Sequence, residues 1–86
     1  MTRVTVYSTD SCVICARAKT MLDKWQIPFD EIRIDESHER MKEFARVTNG
    51  ARTVPQIFID DRLIGGFSEL TELHMDGELD ELMPDG

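Results

Sequence analysis

Tyr7-Ser8-Thr9-Asp10-Ser11-Cys12-Val13-Ile14-Cys15 is the stretch in which a predicted strand gives way to a predicted helix. Both cysteines of the chain lie here, in the expected first turn of that helix. Backbone N–H groups at the start of a helix have no partner within it, and the helix dipole places partial positive charge there. These features favour the thiolate at Cys12, which is the nucleophilic form of the side chain. The stretch therefore predicts a reactive sulfur around which the rest of the chain is organised.

The segments on either side of this stretch carry a strand pattern and a helix pattern. Residues 3–7 alternate between apolar and polar side chains and are rich in β-formers, which predicts a strand. Asp10 or Ser11 is expected to cap the helix, and Pro28 ends it because it excludes helical geometry from the preceding residue. One apolar stripe indicates the face that the helix buries. Its members are Ile14, Ala18, Met21, Leu22 and Trp25.

The remaining segments complete an alternating α/β pattern. Ser37 is expected to open a second helix with a stripe of Met41, Phe44, Ala45 and Thr48, which Asn49-Gly50 closes. The other predicted elements are strands over residues 29–34, 56–59 and 62–64, and short helices over residues 68–74 and 78–83. The order is β-α-β-α-β-β-α with a small additional helix. Such an order predicts one domain over residues 1–86, built on a mixed four-stranded sheet with helices on its faces.

Composition and charge narrow the class of protein. A chain of 86 residues with 41% hydrophobic and 31% charged residues is typical of one globular domain. No apolar run approaches the roughly 20 residues that cross a bilayer, so we expect no membrane association. The first residues pass almost directly into a strand pattern and leave no room for a signal peptide, so we expect a cytoplasmic protein.

The net charge of −7 belongs entirely to the C-terminal part of the chain. Residues 1–62 hold 10 Lys and Arg against 10 Asp and Glu, whereas residues 63–86 hold 7 acidic side chains and no Lys or Arg. Nucleic-acid partners are disfavoured because they require a basic surface. The acidic excess is either a solvated helical face that maintains solubility or a field that steers partners with basic surfaces.

Two cysteines can form a structural disulfide, half of a metal site or a redox pair. A disulfide that closes a four-residue loop restricts the unfolded chain by only about 2 kcal/mol, against about 3 kcal/mol for fifteen residues. His38 and His74 lie far from the cysteines and from each other, unlike the ligands of a zinc finger, so we expect no metal. A Cys-x-x-Cys that opens the first helix of a β-α-β unit is typical of a thioredoxin-like redox motif.

Two further segments are expected to converge on Cys12. Thr53-Val54-Pro55 directly precedes a strand. Pro55 is either simply the first residue of that strand, or it leaves the backbone of Val54 free to pair with an extended substrate. Gly65-Gly66-Phe67-Ser68-Glu69 opens the third helix. Its glycines indicate either a turn alone or, with Ser68, a source of free N–H groups for a carboxylate.

On these residues the chain resembles the glutaredoxin family. The likeness covers Cys12-x-x-Cys15 with Arg17-Ala18-Lys19 after it, Thr53-Val54-Pro55-Gln56-Ile57-Phe58-Ile59, and Gly65-Gly66-Phe67-Ser68-Glu69-Leu70. It implies a thioredoxin-like fold, a cis peptide bond between Val54 and Pro55, and glutathione as reducing co-substrate. The implied glutathione-binding residues are Thr53, Val54, Pro55, Gly66, Phe67, Ser68 and Glu69, with the cysteinyl backbone at Val54 and the γ-glutamyl end at residues 66–69.

The chain departs from the family's usual pattern at several positions near the motif. Val13-Ile14 replaces Pro-Tyr between the cysteines, Thr9 replaces a lysine, and Phe67 replaces a cysteine after the double glycine. The lysine would help to hold the glycyl carboxylate of glutathione. As a hypothesis, Arg52 replaces that contact, because it lies next to the Thr53-Val54-Pro55 segment.

The resemblance implies thiol–disulfide exchange with disulfide-containing or glutathionylated proteins, carried out by a monomer. Cys12 is the expected nucleophile, and Cys15 is expected to resolve the mixed disulfide. Two alternatives remain at this point. One is a redoxin that thioredoxin reductase reduces and that supplies electrons to ribonucleotide reductase. The other is a dimer that binds an iron–sulfur cluster through the first cysteine and a glutathione from each subunit.

Overall fold

A computed structural model describes residues 3–79, and its elements follow the predicted order. The strands are β1 (Val4–Ser8), β2 (Asp30–Arg33), β3 (Gln56–Ile59) and β4 (Arg62–Gly65). The helices are α1 (Val13–Lys24), α2 (His38–Val47) and α3 (Phe67–Met75), with a 3-10 turn over Ile34–Glu36. Most of the helix predicted over residues 78–83 lies outside the described residues. No helix within residues 3–79 is both long enough and apolar enough to cross a membrane.

The four strands form one mixed sheet in the order β2-β1-β3-β4. β1 pairs in parallel with β2 and antiparallel with β3, which in turn pairs antiparallel with β4. A parallel pair requires a crossover connection, and α1 provides it. The predicted sheet, with one parallel pair and an antiparallel hairpin, is therefore confirmed. Strand β1 lies in the interior of this sheet, and the chain passes from its end directly to the cysteines.

The core has one layer on each face of the sheet, because successive side chains of a strand point to opposite faces. Ile57 belongs to the layer beneath α1 and α3, and its neighbour Phe58 to the layer beneath α2. The first layer contains the buried side chains of Val4, Val6, Ala18, Leu22, Ile57, Ile59, Leu70 and Leu79. The second contains those of Tyr7, Ile34, Phe44 and Phe58. The ring of Tyr7 lies 5.6 Å from those of both Phe44 and Phe58.

The buried face of α1 differs from the predicted stripe. Ile14 is 42% exposed, and Cys15 is fully buried with Ala18 and Leu22. The helix begins at Val13, and its N-cap is Cys12 rather than Asp10 or Ser11. In the first turn of α1, Cys15 rather than Ile14 is therefore the residue that faces the sheet.

The buried face of α2 and the end of β2 also differ from the prediction. In α2, Phe44 and Thr48 are buried, but Met41 is 53% exposed and Ala45 is exposed. The face that α2 buries is thus narrower than the predicted stripe. Ser37 caps this helix as predicted, since its hydroxyl oxygen accepts the N–H of Arg40 at 3.1 Å. β2 ends before Ile34, which enters the 3-10 turn.

Candidate active site

The two cysteines lie at the N-terminus of α1 with different exposure. Cys12 is half-buried, whereas Cys15 is buried. The Sγ atom of Cys12 accepts the backbone N–H of Cys15 at 3.1 Å, so the sulfur itself serves as the helix cap. This donor belongs to the first turn and has no acceptor within the helix. The geometry places Cys12 where an incoming disulfide reaches it and keeps Cys15 behind it.

The surroundings of Cys15 hold that side chain in the thiol form near neutral pH. Burial, and then a hydrogen bond with the Cys12 side chain, raise the pKa of Cys15 to about 12. A hydrogen bond from the backbone of Thr9 and the positive charge of Lys19 act in the opposite direction. A buried thiol with a raised pKa is a poor nucleophile towards an external disulfide.

The Thr53-Val54-Pro55 segment lies directly against Cys12. The Cys12 thiol donates to the carbonyl oxygen of Val54 at 3.7 Å, and the Val54–Pro55 peptide bond is cis, as the resemblance implies. Thr53 is exposed, and its carbonyl and hydroxyl oxygens accept the side-chain amide of Gln56 at 3.1 and 3.3 Å. These contacts hold the segment that precedes β3 next to the half-buried sulfur of Cys12.

The start of α3 packs against the same segment. A Cβ atom added to Gly66 would lie 3.3 Å from the carbonyl oxygen of Pro55, so the two backbones approach closely. The N–H of Gly66 donates to Oε1 of Glu69 at 2.7 Å. This N–H is therefore already bonded within the protein, so of the two glycines Gly66 does not supply the free N–H group that was one of the two interpretations of this segment. Phe67 and Ser68 retain first-turn N–H groups without an acceptor inside the helix.

The remaining residues of the expected site differ in their surroundings. Phe67 is partly buried and packs against the first core layer, whereas Ser68 is exposed. Arg52 is exposed beside Thr53, and no hydrogen bond or ion pair within residues 3–79 joins it to the other site residues. The structure thus brings Cys12, Val54, Pro55 and Gly66 together. The contact expected of Arg52 is with glutathione, and it stays a prediction.

A polar network beside Cys15 was not predicted from the sequence. Ser8 is fully buried, and its hydroxyl donates to Oε2 of Glu31 at 2.6 Å. The Nζ atom of Lys19 donates to the same oxygen at 2.7 Å. The ammonium group of Lys19, and then the Ser8 hydroxyl, lower the pKa of Glu31. The signal available in the sequence was the position of Lys19, four residues after Cys15.

A second set of contacts joins the loop before α1 to the end of β2 and to the 3-10 turn that follows it. The carboxylate of Asp10 forms an ion pair with Arg33, and its backbone N–H donates to the Asp35 carboxylate at 3.0 Å. The loop that carries Thr9 and leads to Cys12 is therefore fixed through both the side chain and the backbone of Asp10. Within residues 3–79, no three His, Cys, Asp or Glu side chains are grouped as metal ligands would be.

Comparison with known proteins gives one consistent result. A family model described as Glutaredoxin matches residues 4–64. The glutaredoxin of Neisseria meningitidis serogroup B is 42% identical over 84 residues, which cover 96% of this chain and 98% of that protein. Glutaredoxin 1 of Rickettsia typhi is 40% identical over 81 residues, which cover 93% of this chain and 78% of that protein. The crystal structure of a buckwheat glutaredoxin–glutathione complex has a TM-score of 0.84 and 28% identity, covering 98% of this chain and 78% of that one. The thioredoxin-like fold is confirmed.

Proposed function

The chain belongs to the glutaredoxin family, and on this premise we propose that it is a glutathione-dependent thiol–disulfide oxidoreductase. Its substrates would be protein disulfides and protein–glutathione mixed disulfides. The observation that carries the proposal is the asymmetry of the two sulfurs. Cys12 is the more exposed of the two and touches the Val54 carbonyl, while Cys15 is buried one helical turn behind it.

The asymmetry assigns an order to the exchange. The Cys12 thiolate attacks one sulfur of the substrate disulfide and forms a new S–S bond. The electron pair of the broken bond leaves with the other sulfur, which takes up a proton. Cys15 then loses its proton and attacks Cys12, forming the intramolecular disulfide and releasing the second substrate thiol. Two glutathione molecules return the pair to the dithiol and are themselves joined as glutathione disulfide.

The surroundings of Cys12 support glutathione as the reductant. The tripeptide is an extended chain with a carboxylate at each end, so its recognition requires backbone pairing and anion donors. Val54 offers backbone groups for a strand-like pairing. The first-turn N–H groups of Phe67 and Ser68 offer donors for the γ-glutamyl carboxylate. The buckwheat relative was crystallised as a glutathione complex, and its fold extends over nearly this whole chain.

We propose different roles for the charged residues of this site. Oε1 of Glu69 already caps α3 through Gly66, so the carboxylate presents its remaining oxygen to the γ-glutamyl amine. The exposed side chain of Arg52 would bind the glycyl carboxylate of glutathione. Thr53 and Pro55 contribute by fixing the backbone of Val54.

Two single-cysteine variants test this proposal. Cys15→Ser should retain the reduction of a glutathionylated peptide by glutathione, because that reaction needs only Cys12. It should lose the reduction of a protein disulfide through the dithiol route. Cys12→Ser is the matched control and should lose both activities. If Cys15→Ser is inactive in both assays, while thioredoxin reductase and not glutathione reduces the wild-type disulfide, the proposal is wrong and the redoxin alternative holds.

A further inference from the structure

Lys19 lies over the buried cysteine on the same face of α1. Residues four apart in a helix are neighbours, and side chains lean towards the N-terminus of the helix. The Lys19 side chain therefore extends over the turn that contains Cys15. Its positive charge opposes the effect of burial on that sulfur. Cys15 itself is fully buried and the Lys19 side chain is 30% exposed, so solvent screens the interaction only in part.

The ammonium group of Lys19 is held in one position rather than left in solvent. Its Nζ donates to Oε2 of Glu31 at 2.7 Å, and that oxygen also accepts the buried hydroxyl of Ser8 at 2.6 Å. The side chains of the ion pair are 30% exposed for Lys19 and 29% exposed for Glu31. By contrast, Arg17 is exposed and lies two residues from Cys15, which places it on another face of the helix.

The resolving step places negative charge on the buried sulfur. Cys15 loses its proton to solvent and attacks Cys12, the Cys12–glutathione S–S bond breaks, and the electron pair leaves with the glutathione sulfur, which then binds a proton. Negative charge in a buried site is unfavourable unless a positive group or hydrogen-bond donors face it. At Cys15 these are a backbone hydrogen bond from Thr9 and the charge of Lys19.

We propose that Lys19, positioned by Glu31 and Ser8, assists the resolving step by stabilising the negative charge on Cys15 as it attacks the Cys12 mixed disulfide. Lys19 forms no bond to a reacting atom, so it acts through Cys15. The proposal rests on the proposed function, since it requires a mixed disulfide at Cys12. It predicts that Lys19 affects the second step of the exchange and not the first.

The test is rapid mixing of the reduced protein with glutathione disulfide, followed by acid quench and intact-mass measurement. Formation of the Cys12 adduct depends on the glutathione disulfide concentration, and its decay reaches a plateau rate that reports resolution. Lys19→Gln should lower the plateau rate about three- to tenfold near pH 7.5 and move its pH profile about 0.5 to 1 unit higher. Lys19→Arg should restore most of the rate. Adduct formation should change less than about twofold in either variant.

Matched variants separate an electrostatic role from a structural one. Arg17→Gln removes an equal charge from another face of α1 and should leave the plateau rate unchanged. The swapped pair Lys19→Glu with Glu31→Lys retains an ion pair but reverses its direction, and it should resolve more slowly than Lys19→Gln. A swapped pair that resolves at the wild-type rate would overturn the proposal, as would equal slowing of both steps in Lys19→Gln. The absence of any glutathione adduct in the wild type and in Cys15→Ser would instead overturn the proposed function.

Discussion

Gly65 ends β4, and both its backbone conformation and its close packing against Glu69 require glycine. Its φ is +121°, where L-residues are strained. A Cβ atom at this position would lie 2.9 Å from both Cγ and Oε1 of Glu69. The same Oε1 accepts the N–H of Gly66 at 2.7 Å and so caps α3. Gly65→Ala should therefore strain the backbone and also displace Glu69 from the helix terminus.

The magnitude follows from these two contributions. Backbone strain at such a position costs about 1–3 kcal/mol, and loss of a helix cap costs about 1 kcal/mol. Gly65→Ala should thus lower the free energy of unfolding by about 2–4 kcal/mol, which lowers the thermal midpoint by at least about 8 °C in a domain of this size. Gly77→Ala is the matched control, because Gly77 has φ +79° and nothing within 4 Å of an added Cβ. It should cost only about 1–2 kcal/mol.

A double-mutant cycle in urea isolates the contact between the two residues. Glu69→Ala alone should cost about 1 kcal/mol through loss of the cap. In the Gly65→Ala background it should cost almost nothing, because Glu69 no longer reaches Gly66. The coupling energy should therefore be about 1 kcal/mol. The reasoning is refuted if Gly65→Ala costs no more than Gly77→Ala and Glu69→Ala costs the same in both backgrounds.

Three further predictions concern stability. Burial raises the pKa values of Cys15 and Tyr7, so the folded state keeps protons that the unfolded chain releases. The urea midpoint should therefore fall as the pH rises above about 9. Cys15→Ser should make this decline shallower, and an unchanged slope would contradict the raised pKa of Cys15. The pKa of Glu31 is lowered by Lys19 and Ser8, so its stabilisation is present above the ordinary carboxyl pKa and is lost as the pH falls through the folded value. Glu31→Gln should therefore destabilise the protein at pH 7 but make its stability fall less between pH 5 and pH 3. Urea midpoints measured at pH 7, pH 5 and pH 3 check both effects. Leu70→Ala should cost about 2–5 kcal/mol because its side chain is fully buried, against less than about 0.5 kcal/mol for Met75→Ala, which is 78% exposed; equal midpoints for the two would count against the described core.

Local patterns in the sequence were sufficient for the order of elements. Alternation predicted β1, the Ser37 cap predicted the start of α2, and the Asp60-Asp61 connection predicted the β3–β4 hairpin. Each of these signals acts over a few residues and needs no tertiary contact. The mixed sheet followed because a β-α-β unit makes its strands parallel and a hairpin makes them antiparallel.

Contacts between distant segments could not be read in this way. The stripe on α1 was assigned through Ile14, but Ile14 and Cys15 both adjoin Ala18 on the helix surface, and local spacing does not decide which of them packs against the sheet. The structure buries Cys15 and leaves Ile14 42% exposed. Ser8 and Glu31 meet only because parallel pairing brings β1 and β2 together. By contrast, the occupied N–H of Gly66 could have been predicted, because Gly66 and Glu69 have the spacing of a capping box, in which the N3 carboxylate accepts the N–H of the N-cap residue.

The most direct test of the central claim is the site at which glutathione attaches. Cys15→Ser treated with glutathione disulfide near neutral pH should gain the mass of one glutathionyl group, and peptide mapping should locate it at Cys12. Cys12→Ser, treated in the same way, should remain unmodified because the remaining sulfur is buried and held as a thiol. Equal modification of the two variants, or no adduct on Cys15→Ser, would contradict the account of a half-buried attacking sulfur with a fully buried one behind it.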